Sequence, residues 1–250
     1  MDSEKLLINR FTELASRAYK RGVYTFSDFL NMSEQNLLLR VKFQAGCSPF
    51  TLTGGYELAE RRLAVFGSEE LCGVMEEQPF SVVAVKARSE KFSDTLTHRD
   101  FLGALMSLGV KRETVGDIAV TENAGYVICL NQIAGFIAEE LSRIKHTAVE
   151  CEISEKLPKL VFSAPEEKSV NVPSERTDAV VSAVFKLSRS ESLELFKKEK
   201  IFVNGKLTTD PGREPSEGEI ISVRGYGRFK YNGALRTTKK DRLFVSVSVY

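Results

Sequence analysis

A chain of 250 residues, 42% hydrophobic and 28% charged, has the composition of an ordinary globular protein, long enough for one large domain or two to three small ones. Its 35 Lys+Arg against 34 Asp+Glu leave a formal charge of +1, which excludes a chain-wide polybasic nucleic-acid coat. No run approaches the roughly 18 apolar residues of a membrane-spanning helix, so no membrane partner is expected. The start, Met1-Asp2-Ser3-Glu4-Lys5, is too acidic for a secretory signal. Cys47, Cys72, Cys129 and Cys151 form no Cys-x-x-Cys pair. Four reduced core thiols are therefore expected, with no metal site and no cofactor.

Residues 1–75 read as an N-terminal helical α/β subdomain. Leu6, Leu7, Phe11, Leu14, Ala15 and Ala18 recur at helical spacing, with Gly22 as the stop. A second helix is expected after Ser33, and strand-like bias runs from Val41 to Leu52. Gly54-Gly55-Tyr56 then precedes a third helix expected over Glu57 to Phe66. Residues 76–160 alternate strand and helix: a strand at Phe80 to Val85, a helix from about Asp100 to Gly109, and a strand at Tyr126 to Leu130. A long helix then steps through Ile133, Ile137, Leu141 and Ile144, before a closing strand at Thr147 to Ile153. That order fits a two-layer α/β sandwich, a ferredoxin-like plait if one further strand is present.

Residues 161–173 hold Pro165 and Pro173 and no sustained periodicity, so they read as a linker. The charge balance also changes there. Residues 1–171 carry 20 basic and 24 acidic side chains, and residues 172–250 carry 15 and 10. In residues 174–250, Ala179, Val180, Ala183, Val184 and Leu187 make a helical stripe. Ser188-Arg189-Ser190-Glu191 has capping-box spacing and starts a second helix. Asn204-Gly205 after Ile201-Phe202-Val203 is a hairpin signal, and strands are expected at Ile220 to Arg224 and Phe244 to Val249. The fold class is α+β.

The last piece has the chemistry of an RNA-binding surface. Lys and Arg neutralise phosphates, and helix starts present backbone N–H groups to them. Arg189 stands at such a start, and Lys197, Lys198 and Lys200 follow at the other end of that helix. Between residues 224 and 242 seven cations face only Asp241. Tyr226, Phe229 and Tyr231 are interleaved with them and are expected to stack on unpaired bases.

Arg176 and Asp178, Leu187-Ser188-Arg189-Ser190, Ile201, Val203-Asn204-Gly205, Gly218-Glu219, Ile221 and Val223-Arg224-Gly225 together resemble the α-L RNA-binding motif, first named after a ribosomal small-subunit protein. Glu219, where most relatives carry Asp, and the lack of a Gly near Lys200 are minor departures. Further matching stretches are Gly54-Gly55-Tyr56, Ala59-Glu60-Arg61-Arg62, Thr97 through Leu105, Gly109-Val110-Lys111-Arg112, Gly116-Asp117-Ile118 and Val223 through Phe229. With these the chain is similar to the YlmH family, bacterial proteins with a C-terminal α-L motif. The resemblance is weakest over residues 1–50 and the linker.

It implies a cytoplasmic, non-catalytic protein that binds structured RNA, rRNA or tRNA, on the large ribosomal subunit. It also implies ribosome-rescue or cell-division proteins as further partners. The candidate RNA-binding set is Arg176, Ser188, Arg189, Ser190, Lys197, Lys198, Lys200, Asn204, Lys206, Arg224, Tyr226, Arg228, Lys230, Lys239 and Lys240. His98, Arg99, Lys111 and Arg112 are candidates for a second RNA surface in the middle domain.

Two alternatives are an RNA-modifying enzyme that uses the α-L motif for targeting and a cell-division adaptor. His98-Arg99-Asp100 is the only catalytic-looking cluster. It lacks the glycine-rich loop, strand lysine and Asp-Phe-Gly of a kinase. It also lacks the leucine between Arg and Asp that a pseudouridine synthase has, so helix capping is the expected role. Gly54-Gly55 has no Walker pattern and reads as a packed turn, and no dinucleotide or methyl-donor fingerprint is present.

Overall fold

Residues 2–56, 59–76, 78–89, 95–121, 124–154, 166–237 and 242–249 are described by the computed structural model. The chain divides into two units, residues 1–163 and 164–250. In the first, α1 (Asp2–Arg21) buries Phe11, Leu14, Ala15 and Ala18 against Leu30, Leu38, Ala64 and Phe66. Leu6, expected on the same face, is largely exposed. β1 (Thr25–Phe26) leads to α2 (Met32–Leu39). Asn31 caps α2, its Oδ1 accepting from the amides of Ser33 and Glu34. β2 (Phe50–Thr53) and β3 (Leu63–Phe66) complete an antiparallel sheet in the order β1-β3-β2.

β3 corrects the helix expected over Glu57 to Phe66. Residues 57 and 58 lie outside those described, but Leu63-Ala64-Val65-Phe66 is a central strand buried on both faces. Ala64 and Phe66 face α1, while Leu63 and Val65 join Phe29, Phe80, Ile128 and Leu130 in a second cluster. A strand covered on both sides is uniformly apolar, so its pattern does not distinguish it from a buried helix. The turn before it is packed: a Cβ on Gly54 would lie 2.4 Å from the Ala59 Cβ and 2.6 Å from the Arg61 carbonyl oxygen.

After the single turn α3 (Glu69–Cys72) come β4 (Phe80–Ala87), α4 (His98–Ser107), β5 (Val115–Val120), β6 (Ala124–Leu130), α5 (Asn131–Glu140), β7 (Arg143–Ile144) and β8 (Thr147–Ser154). The five strands pair antiparallel in the order β5-β6-β4-β8-β7. β5 escapes the sequence reading because Gly116 and Asp117 interrupt its apolar run at a register shift. Phe101 and Leu105 of α4 and Ala134 and Ile137 of α5 cover Val83, Val85, Val127 and Cys129 on one sheet face. Phe80, Ile128 and Leu130 on the other face meet β3.

α5 stops at Glu140, not at Ile144. Leu141 leaves the helical region (ψ 86°) and Ile144 lies on β7. Both still face the same core, which is why the apolar period outruns the helix. Of the four cysteines only Cys129 is fully buried, its thiol pushed up to about 12 by desolvation. The other three are half-buried, and the Cys151 thiol donates to the Leu141 carbonyl.

The second unit opens with β9 (Glu166–Val172), which corrects the linker expected at 161–173 from residue 166 on; residues 161–165 lie outside those described. β9 pairs with β14 (Leu243–Val249) over seven residues at the sheet edge, where few of its side chains need to be apolar. Between them run α6 (Thr177–Phe185), α7 (Arg189–Lys197), β10 (Ile201–Val203), β11 (Lys206–Leu207), β12 (Ile220–Val223) and β13 (Gly227–Thr237). The sheet order is β11-β10-β12-β13-β14-β9. Asn204 (φ 47°) and Gly205 (φ 75°) make the two-residue β10–β11 turn with both residues left-handed, as Asn-Gly implies.

Val180, Val181, Leu195 and Phe196 pack both helices onto one face of this sheet, against Ile201, Ile221, Val223, Phe229, Tyr231, Val245 and Val247. Phe229 and Tyr231 are therefore core residues, which corrects their expected role as base-stacking rings. The Tyr231 hydroxyl donates to the Glu175 carboxylate, and desolvation raises its pKa. No described helix is long and apolar enough to cross a membrane.

Candidate nucleic-acid interface

The elbow between α6 and α7 frames a cleft of about 400 Å³ whose lining includes Arg176, Lys186, Arg189 and Arg242. Each cation is placed by a local rule. Arg176 precedes α6 and donates from Nε and Nη2 to the two oxygens of buried Asp178, at 3.0 and 3.2 Å. That fork fixes the guanidinium plane and keeps it charged. Asp178 is anchored in turn: its amide donates to the Pro211 carbonyl, and its carbonyl accepts from the Ser192 hydroxyl on α7.

Lys186 ends α6 at φ 53°, a left-handed position that favours glycine and that L-residues occupy at a cost of about 1 kcal/mol. Arg189 is the exposed first residue of α7. Before it, the Ser188 amide donates to the Glu191 carboxylate at 2.7 Å and the Glu191 amide to the Ser188 hydroxyl at 3.2 Å, as the capping-box spacing predicts. The Ser188 amide and the Ser188 hydroxyl, both donating to it at 2.7 Å, hold the Glu191 carboxyl below its usual range. Ser188 therefore builds the elbow, and its Oγ lies 3.1 Å from that of Ser190. Arg242 enters the cleft from the start of β14, its Nε donating to Asn171 Oδ1.

The rest of the expected set lies elsewhere on the unit. Lys197 and Lys198, about 12 Å along α7 from Arg189, flank Glu194 at 3.6 and 3.3 Å. Asn204 is tied into the sheet, its Oδ1 accepting from the Ile220 amide, and Lys206 is exposed on the adjoining hairpin. The Lys200 carbonyl accepts from the Arg224 amide. Arg228 and Lys230 alternate with buried Phe229 and Tyr231, so they point away from the helices. Exposed Tyr226 packs on Phe185 with ring centroids 5.9 Å apart. Lys239 and Lys240 fall outside the described residues.

Lys186 was not among the expected contacts, and Arg242 was expected only as one of the seven cations of residues 224–242, without a place in this cleft. The adjacency Lys186-Leu187-Ser188-Arg189 is the signal for the first, since the elbow turns both cations to one side. For the second, the basic run signals the charge but not its place, because only the β9–β14 pairing brings Arg242 to the elbow. Replacing Lys186 with glycine should separate binding from stability. Relief of the left-handed strain is expected to raise stability by about 1 kcal/mol, while loss of the charge weakens RNA binding. Thermal unfolding and an RNA titration of the same variant check both signs.

In the first unit, Asp100 accepts from the Thr97 amide and hydroxyl at 2.8 and 2.7 Å and pairs with Lys145 at 2.8 Å. These contacts, with the Lys145 hydrogen bond the largest, hold its carboxyl down to about 2. Asp100 thus serves the start of α4. Arg99 lines a groove with Arg143 and Lys145. His98 is pushed down by burial and by the Arg112 charge, and Lys111 is exposed.

Arg112 donates to the carbonyls of Val115 and Gly116 at 2.6 and 3.3 Å. Burial, then the nearby Arg61, lowers it to about 10. Beside it, Asp117 Oδ2 accepts from the Tyr56 hydroxyl (2.6 Å) and the Glu60 amide (2.7 Å), and Oδ1 from the Arg61 amide (3.0 Å). Arg61 itself donates to the carbonyls of Val115 and Phe29 at 2.9 and 2.6 Å. Burial pushes the Asp117 carboxyl up against the pull of these donors and both arginines.

A family model described as "Putative RNA-binding domain in YlmH" matches residues 76–157. "Ribosome-associated protein quality control protein P2" of Bacillus subtilis (strain 168) is 35% identical over 244 residues, spanning 96% of this chain and 92% of that protein. Among solved structures, "Cell division protein ylmH from Streptococcus pneumoniae" is 19% identical, with a TM-score of 0.48, over 61% of this chain and 91% of that one.

Proposed function

The chain belongs to the YlmH family, and from that premise we propose that it is a non-catalytic protein that binds structured RNA, rRNA or tRNA, on the large ribosomal subunit. The observation that carries this reading is the elbow cleft, where Arg176, Lys186, Arg189 and Arg242 converge on one concave surface. Four cations on a rigid frame suit a phosphate backbone held by shape and charge without base reading. Residues 174–250 act in this reading as the α-L module. Residues 76–160, whose β-α-β-β-α-β connectivity supports a ferredoxin-like plait, carry a second RNA contact through Arg99 and Lys111. The engagement of Asp100 at the start of α4 supports the absence of catalysis. The relative's printed role in ribosome-associated quality control supports a ribosomal site of action.

Sedimentation of the purified protein with separated ribosomal subunits tests the proposal. The protein should travel with the large subunit at low salt and be released as salt rises. Sedimentation apart from both subunits at low salt would overturn it.

A further inference from the structure

The sheet of the second unit has a face that neither of its described helices covers. Register and alternation place Phe202, Ser222 and Arg228 in one row across it, and Ile220, Lys230 and Ser248 in the next. Phe244 belongs to the same face, because Val245 and Val247 point into the core. Two half-buried aromatic rings on a helix-free face need an explanation, since apolar rings there lose the burial that a helix would give. Each is capped by an arginine: the Arg224 guanidinium carbon lies 4.4 Å from the Phe202 ring centroid, and that of Arg236 lies 4.9 Å from the Phe244 centroid. Both arginines are exposed.

A guanidinium stacked on a ring presents its second planar side outward, where a nucleobase can stack. Arg228 and Lys230 lie on the same face and supply charge for phosphates. Among the described residues the acids near this face are Glu167 at the β9 edge, which accepts from the Ser246 hydroxyl, and Glu217, whose carboxylate lies 3.6 Å from where a Cβ on Gly233 would stand. Separate arginine-capped rings among cations on a helix-free sheet face form the kind of platform along which a single strand can stack its bases. A double helix offers no free base faces to such a surface, so the ligand is unpaired.

We propose that this face binds single-stranded RNA, with bases on the Arg224–Phe202 and Arg236–Phe244 stacks and phosphates on Arg228 and Lys230. The elbow cleft, lined by α6, the start of α7 and the sheet edge at Asn171 and Arg242, takes a separate structured segment, so one module holds two kinds of RNA. The inference rests on the RNA-binding reading above but on different residues, which keeps the two separable.

The test uses the full chain and two labelled probes, a 12-nucleotide oligouridine and a blunt RNA hairpin. Phe202→Leu with Phe244→Leu should weaken oligouridine binding at least 10-fold and leave hairpin binding within 2-fold. Arg224→Ala with Arg236→Ala, which alters only exposed side chains, should reproduce the oligouridine loss. The inference is overturned if wild type does not bind oligouridine, as a protein-binding face would behave. It is equally overturned if the leucine pair weakens the hairpin as much as the single strand. Failure of the wild type to bind the hairpin would instead count against the elbow cleft.

Discussion

Replacing Asp117 with alanine is expected to lower the stability of the first unit by about 3 kcal/mol, a large share of a typical domain's stability. The substitution leaves the Tyr56 hydroxyl and the amides of Glu60 and Arg61 without their acceptor. It also leaves partly buried Arg112 without its compensating carboxylate, and takes from Arg61 one of the acids, beside Glu34 and Glu113, that offset its burial. Asparagine does not repair the site. Both Asp117 oxygens receive donors, so either orientation of an amide group turns its NH₂ toward an N–H or O–H. Urea unfolding followed by circular dichroism gives the magnitude, and hydrogen exchange places the loss within residues 1–163. A cost below about 1 kcal/mol for alanine would show that these contacts do not hold the two sheets of that unit together.

The second large effect is on binding. Lys186→Gly combined with Arg189→Ala removes two of the four cations of the elbow cleft while sparing the buried Asp178 partner of Arg176. At about 1.5 kcal/mol for each charge-assisted contact, affinity for a structured RNA should fall roughly 100-fold at moderate salt. Lys197→Ala with Lys198→Ala removes the same charge from the far end of α7, where both lysines flank Glu194. That pair should cost only a fewfold. A total charge effect would make the two pairs equal; a site makes them unequal.

The physical signals explain what the sequence discloses and what it hides. Strong local chemistry is legible: the Ser188–Glu191 box, the Asn204-Gly205 turn and, Leu6 apart, the apolar face of α1 each involve neighbours within a few residues. Elements fail where a distant partner decides them. β3 is helical by pattern and a strand by its two-sided burial, β9 is polar because it lies at an edge, and Ile144 continues a helical period that the backbone has already left. The interface follows the same division. The basic character of residues 224–242 is visible in composition, yet only strand alternation shows that Phe229 and Tyr231 point inward while Arg228 and Lys230 point outward. Charge counting along the chain merges two surfaces that the sheet separates. The pairing of Asp117 with Tyr56 and Arg61 couples two matching stretches more than fifty residues apart, which spacing alone does not reveal.

The most direct measurement is the salt dependence of binding to a structured RNA by the wild type and by the Lys186→Gly, Arg189→Ala variant. Four phosphate contacts at the elbow give a log–log slope of about −3 to −4, and removing two cations should flatten it by about 2. Equal slopes for the two proteins, or a wild-type affinity that barely responds to salt, would contradict the assignment of RNA to the cleft.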